Sequence, residues 1–272
     1  MYTKFYGKYH LSGLIKCVTS LHIGGTTTGV EIGGVDNPVI KDPLTDRPYI
    51  PGSSLKGKLR SISEWSLGLI ERHPKHSGYQ AYDCRELKNS PPAEDQKEAF
   101  ARWQGAYTVG RLYGAASDEN TIREKAGPTR LTIRDSFLDD ASISGLQNSL
   151  GRGVFTEVKT ENALDRVTSE ANPRPIELVP AGSKFEFTCL VDMYDPADRQ
   201  LLRDLFAAMR VLEHSSLGGS GSRGHGQISF TDLKLTWKSI DHYRLGTPEI
   251  QVSLPGDLES TIKQFDALQW PF

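Results

Sequence analysis

At 272 residues, with 24% charged and 37% hydrophobic residues, the chain is long enough to bury a substantial core and has the composition of a soluble globular protein. Its formal net charge of −2 excludes a uniformly basic nucleic-acid binder, so any such contact must use local clusters such as Lys56, Lys58 and Arg60. Cys17, Cys84 and Cys189 form no C-x-x-C pair, which argues against a disulfide framework; with no apolar leader in MYTKFYGKYHLSG and no run of membrane-spanning length, the reading is a cytoplasmic protein without membrane association.

Residues 9–22 have the β-branched and apolar content of a first strand, which places His22 at its end, before the Gly24-Gly25 turn. A loop broken by prolines follows and carries Asp36, Asp42 and Asp46. Of these, Asp42 beside Pro43 reads as a turn or ion-pair residue. Pro51-Gly52 then opens a helix over 53–72, with Ser53 or Ser54 as cap and Leu55, Leu59, Ile62 and Leu69 at helical spacing. The free N–H groups of that helix start, with Lys56 and Arg60 on a face apart from the leucines, make a phosphate seat; the competing reading is an ordinary capped surface helix with solvated lysines.

His73, His76 and Cys84 fall within the turn-rich run HPKHSGYQAYDC, where they could hold zinc with Asp83, Glu86 or a distant fourth ligand. The alternative is a polar insertion loop. Residues 86–106 are charged with one short helical stretch, and 131–140 read as a strand with Leu131 and Ile133 on one face. From 151 to 180 the chain is polar and broken by Pro173 and Pro175, a long excursion between strands.

The clearest strand follows, where Phe185, Phe187, Cys189, Val191 and Met193 alternate with Lys184, Glu186, Thr188, Leu190 and Asp192. A helix over 197–214 carries Leu201, Leu202, Leu205, Met209 and Leu212, and ends in the loop LGGSGSRGHG. The final strand changes phase near Asp232, which predicts a bulge. A short helix over 257–268 and an aromatic tail, Trp270 and Phe272, complete the chain.

This order is a βαββαβ unit: an α+β, ferredoxin-like or RNA-recognition-type arrangement with two helices on one face of an antiparallel sheet. We read one domain over 1–272, with insertions at 71–130 (a lid or zinc segment) and 151–180, and an extension at 239–272. The glycines of the 218–224 loop permit close approach to a phosphodiester, with Arg223 supplying charge. The loop follows a helix and lacks G-K-[ST], so it is neither an ATP nor a dinucleotide motif. The run from Arg223 to Phe230 partly imitates the basic-glycine-aromatic RNA motif, with His225 and Gln227 in place of stacking aromatics.

Together LHIGG (21–25), GVDNPVIKDP (34–43), YIPGSSLKGKLR (49–60), TEVKTENALDRVTSEANPRPIE (156–177) and LGGSGSRGHGQISF (217–230) closely resemble the RAMP superfamily of CRISPR-associated proteins, nearest to the repeated backbone subunit of type III, Csm-type effector complexes. The enlarged 71–130 segment and the C-terminal extension depart from that pattern. The resemblance implies a modified RNA-recognition core that polymerises along a CRISPR RNA beside other effector subunits, with a thumb β-hairpin at about 154–176 pushed between bases. It implies guide-backbone contacts at His22, Ser53, Ser54, Lys56, Lys58, Arg60 and the loop Gly218, Gly219, Ser220, Gly221, Ser222, Arg223 and Gly224. It also implies that Asp36 serves cleavage of the paired target RNA with Mg²⁺ or another divalent cation, besides the zinc considered above. RNA carries its own nucleophile, so the protein need only hold the target for in-line attack by the 2′-hydroxyl; Glu157 and Asp165 are further acidic residues on the thumb. The alternatives are a non-catalytic RNA-binding scaffold and a stand-alone nuclease that processes precursor CRISPR RNA.

Overall fold

A computed structural model describes residues 4–25, 38–70, 81–169 and 171–272. Strands β1 (Gly7–Cys17) and β2 (Tyr49–Ile50) precede helix α1 (Gly52–Ser66), followed by α2 (Lys97–Tyr113), α3 (Asn120–Ala126), β3 (Leu131–Ile133), β4 (Ser136–Phe137) and α4 (Asp140–Leu150). Then come β5 (Glu157–Leu164), β6 (Ala171–Leu178), β7 (Lys184–Met193), α5 (Gln200–Glu213), β8 (Ile228–Ser239), α6 (Ile240–Leu245), β9 (Ile250–Val252) and α7 (Leu258–Lys263). None of the described helices is long and apolar enough to cross a membrane.

The central sheet has the order β3-β7-β1-β8-β9 with every neighbouring pair antiparallel. On β7 the alternating set Phe185, Phe187, Cys189, Val191 and Met193 is buried. A one-residue slip would turn all five outward at about 1.5–3 kcal/mol for each large side chain, which fixes the register. Leu201, Leu202, Leu205, Met209 and Leu212 of α5, and Leu55, Leu59 and Ile62 of α1, join the same core. The expected bulge is present: Ser12 pairs with Lys234 but Leu14 with Thr231, and Asp232 has φ +55°. Gly13 faces the extra residue, where a Cβ would stand 2.7 Å from the Thr231 carbonyl oxygen.

Other segments depart from expectation. Helix α1 ends at Ser66 rather than near 72. Residues 97–113 form a 17-residue helix rather than a short one; its first half is solvated, and only the half with Ala106, Val109, Leu112 and Tyr113 is buried. The stretch 131–140 is not one strand but β3 and β4, after which Asp139 accepts from the Ser142 N–H at 2.8 Å and caps α4. The 81–130 segment packs into the main core through Tyr82, Leu87, Val109 and Ile122. It is pinned there by buried Asp198, which meets Arg111 Nη2 at 2.5 Å and Arg130 Nε at 3.3 Å. At the C-terminus Phe272 stacks on Trp237 with ring centroids 5.1 Å apart, and the Tyr9 hydroxyl donates to the Phe272 carbonyl at 3.2 Å.

The polar excursion contains a two-stranded ribbon, β5 against β6, with Glu157 opposite Leu178 and Leu164 opposite Ala171. Pro173 and Pro175 lie inside β6 without breaking it. Both have the same parity, so their missing N–H groups fall on the side away from β5.

Candidate RNA-binding surface

After β1 the chain pairs with the end of the ribbon, as Leu21 and Val179 exchange N–H···O bonds of 2.9 and 2.8 Å. This places His22, which is buried, with Nδ1 2.8 Å from the Glu177 carbonyl oxygen. A carbonyl only accepts, so Nδ1 is the donor of this bond. The His22 carbonyl accepts from the Gly219 N–H at 2.8 Å. Gly218 has φ +77°, and a Cβ there would lie 2.0 Å from that same oxygen, so the position admits only glycine.

Glu177 joins three segments. Its carboxylate accepts from the Val39 N–H at 2.8 Å and the Thr156 hydroxyl at 2.5 Å, and pairs with Lys41 Nζ at 2.7 Å. Burial raises its pKa, yet Lys41, Thr156 and the Val39 N–H together hold it below the ordinary value. Beside it the Gly25 N–H donates to Pro38 at 3.0 Å and the Ile40 N–H to Ile23 at 2.9 Å, so the chain leaves and returns at one point. Asp36 precedes Pro38 by two residues and lies outside the described residues, as do His73 and His76.

The glycine loop is closed by Leu217 N–H to Gly226 at 2.8 Å and Gly226 N–H to Ser20 at 2.9 Å, and turns through Gly221, Ser222 and Arg223. Arg223 is paired with Glu161 of β5, whose other oxygen lies 3.1 Å from His225 Nε2. Burial pushes the Glu161 carboxyl upward, but these two partners bring it below its usual range.

The start of α1 differs from the expected seat. The cap is Pro51 rather than a serine, and Asp135 accepts from the Gly52 N–H at 2.8 Å. Ser53 is exposed, Ser54 and Lys58 half-buried. Lys56 Nζ donates to the Leu131 carbonyl at 2.8 Å, its pKa lowered by burial and by Arg60. Arg60 donates to Glu64 at 2.7 Å, to the Gly114 carbonyl at 3.0 Å and to the Tyr82 carbonyl at 2.7 Å. Lys56 and Arg60 therefore hold the chain's own carbonyls instead of facing solvent. Cys84 is wholly buried, its thiol pushed up to about 12 by burial, and it packs close to Gly110. Among the described residues no three His, Cys, Asp or Glu side chains gather as a metal site.

On the acidic candidates, Asp42 is the turn residue its proline suggested: its Oδ1 accepts from the Leu44 and Thr45 N–H groups at 3.2 and 2.9 Å. Asp165 does the same for Val167 and Thr168 at the ribbon tip. Glu157 pairs with Lys159 at 3.0 Å. Nothing in the local sequence marks Glu177, Glu161 or Asp135 as site residues, because each acts on a segment far away in the chain.

The endoribonuclease Csm3 of the CRISPR Cms system from Methanothermobacter thermautotrophicus is 38% identical over 268 residues, covering 94% of this chain and 96% of that protein. Its namesake from Streptococcus thermophilus is 38% identical over 234 residues, covering 85% and 90%. Two solved structures share the fold: Csm3 of Methanopyrus kandleri (TM-score 0.62, 20% identity) and a Csm3–Csm4 subcomplex of a type III-A interference complex (TM-score 0.59, 24% identity), each covering 99% of this chain and 100% of that one. The RAMP superfamily profile matches residues 14–229, and with those relatives this match shows that the chain belongs to the RAMP superfamily.

Proposed function

We propose that the chain is the repeated backbone subunit of a cytoplasmic type III CRISPR effector complex, binding the CRISPR RNA beside copies of itself and other subunits, and cleaving the target RNA paired to it. The observation that carries this is the junction at His22 and Glu177, where the glycine loop, the base of the β5–β6 ribbon and the two ends of the Asp36 segment meet through bonds of 2.5–3.0 Å. The names of the relatives support the activity. In this reading the core is ferredoxin-like, supported by β3-β7-β1-β8, which is the order 2-3-1-4 of a βαββαβ unit, and the ribbon is the thumb. His22, Ser53, Ser54, Lys58 and the glycine loop hold the guide backbone. Lys56 and Arg60 shape the helix that presents these serines.

Guide pairing selects the sequence while the protein reads backbone and shape. A target strand distorted at the thumb places a 2′-hydroxyl in line with its phosphodiester, and Asp36 orients that hydroxyl or takes its proton as it attacks phosphorus; the bond from phosphorus to the 5′-oxygen breaks, leaving a 2′,3′-cyclic phosphate and a 5′-hydroxyl protonated from water. A divalent cation would neutralise charge on the phosphate, and the described residues include no cluster suited to it. The test is an Asp36→Ala variant in the assembled complex, assayed with Mg²⁺ and with chelator. Cutting of guide-matched RNA should be lost with binding retained. Unchanged cutting would leave the scaffold reading, and site-specific cleavage of precursor RNA by the lone protein would favour the processing nuclease.

A further inference from the structure

We propose that Arg223 and His225 form a seat for one RNA phosphodiester, and that the Glu161 carboxylate fills this seat in the RNA-free chain. The inference rests on the RNA-binding reading above and adds a ligand group, His225, and a competitor, Glu161. One Glu161 oxygen meets the Arg223 guanidinium and the other lies 3.1 Å from His225 Nε2. A phosphodiester offers the same acceptor, two oxygens sharing one negative charge, to the same pair of donors.

The seat is built for exchange rather than for a permanent bond. The Arg223 side chain is 58% exposed although it is paired, so the pair is open to a competing anion. Gly224 beside it has φ +90°, and a Cβ there would touch nothing within 4 Å, which leaves room for a ribose-phosphate backbone. Glu161 has a second cation to turn to, because Arg174 stands directly opposite on β6 and is exposed. When Glu161 withdraws, the seat changes from a neutral pair to a free cation, which is what a phosphate needs.

The test measures binding of the full-length chain to a fluorescein-labelled single-stranded RNA by anisotropy at several salt concentrations. Glu161→Gln keeps a hydrogen-bonding side chain but removes the competing charge, so affinity should rise about threefold. Arg223→Ala should weaken binding about tenfold and reduce the salt slope by about one. In the double variant the gain from Glu161→Gln should vanish, because the carboxylate acts only through that seat. Unchanged or weaker binding by a Glu161→Gln variant that melts like the wild type would overturn the proposal. If that variant melts lower, Arg223→Ala decides: wild-type affinity there overturns the seat. Failure of the wild-type chain to bind RNA would overturn both this inference and the proposed function, whereas binding that neither substitution alters would overturn the seat alone.

Discussion

The Glu177 carboxylate accepts the backbone N–H of Val39 at 2.8 Å, across 138 residues of sequence. That bond attaches the base of the ribbon to the segment that follows Asp36, and the same carboxylate holds Lys41 and Thr156. Glu177→Ala should lower stability by about 2 kcal/mol in urea unfolding, since it strands a buried N–H and a half-buried ammonium. Glu177→Gln keeps one acceptor oxygen, for the Val39 N–H, and turns its amide N–H to the Thr156 hydroxyl while giving up the Lys41 pair, so it should cost about half as much. Because the folded-state pKa lies below the ordinary 4.5, this stabilisation is present above that value and is lost as pH falls through the lower, folded-state pKa. The wild-type and Glu177→Gln curves should therefore converge in acid.

Asp204 on α5 shows the opposite sign. Burial pushes its pKa up to about 6, with Arg203 pulling weakly the other way. The folded chain then binds the proton more tightly than the unfolded one, so ionisation above pH 6 costs stability that returns as pH falls from 6 toward 4. Asp204→Asn should raise stability by about 1 kcal/mol at pH 8, or about 2–4 °C in melting temperature, and flatten the profile between pH 4 and 6. No gain at pH 8 would mean that the carboxylate is better solvated than its half-buried place on α5 indicates.

Gly218→Ala tests the joint between the loop and His22. A methyl group would stand 2.0 Å from the His22 carbonyl oxygen in a backbone with φ +77°, so the loop must move and give up the Gly219 bond to that oxygen. We expect a stability loss of about 2 kcal/mol and weaker RNA binding, with Gly224→Ala milder because its Cβ direction is open. Equal effects of the two substitutions would mean that strain alone, and not the approach to His22, matters.

Much of this architecture could be read in advance where local pattern and long-range demand agree. The alternation on β7, the leucine stripe of α5 and the phase change at Asp232 all report burial directly, and each is found. The reading was weaker where neighbours decide. Helix α2 shows no clear stripe because half of it is solvated, and β6 survives two prolines because only one of its edges is paired. The site divides in the same way: glycines and His22 announce a tight turn, but nothing local to Glu177 or Glu161 shows which segments they will hold. Helical spacing puts Lys56 and Arg60 on one face but does not show what covers it; here strand β3 and the 81–114 segment do.

That cover gives the sharpest division among the basic residues of α1. Arg60 spends its guanidinium on Glu64, Tyr82 and Gly114, all within the protein, while the side chain is only 16% exposed. Removing it takes the donor from two carbonyls and leaves the buried Glu64 carboxylate with the Tyr82 N–H but no cation, so Arg60→Ala should destabilise by about 2–3 kcal/mol, and its loss of RNA binding should follow the fraction unfolded. Lys58 lies on the same helix and is half-buried. If it holds a phosphate of the guide, Lys58→Ala should leave the urea midpoint unchanged while weakening RNA binding and reducing the salt slope by about one. Titrating both variants with RNA in conditions where each is fully folded separates the roles: Arg60→Ala should then bind nearly as wild type, and Lys58→Ala should not. A normal salt slope for Lys58→Ala would remove it from the guide-binding set and leave the serines and the glycine loop to carry that contact.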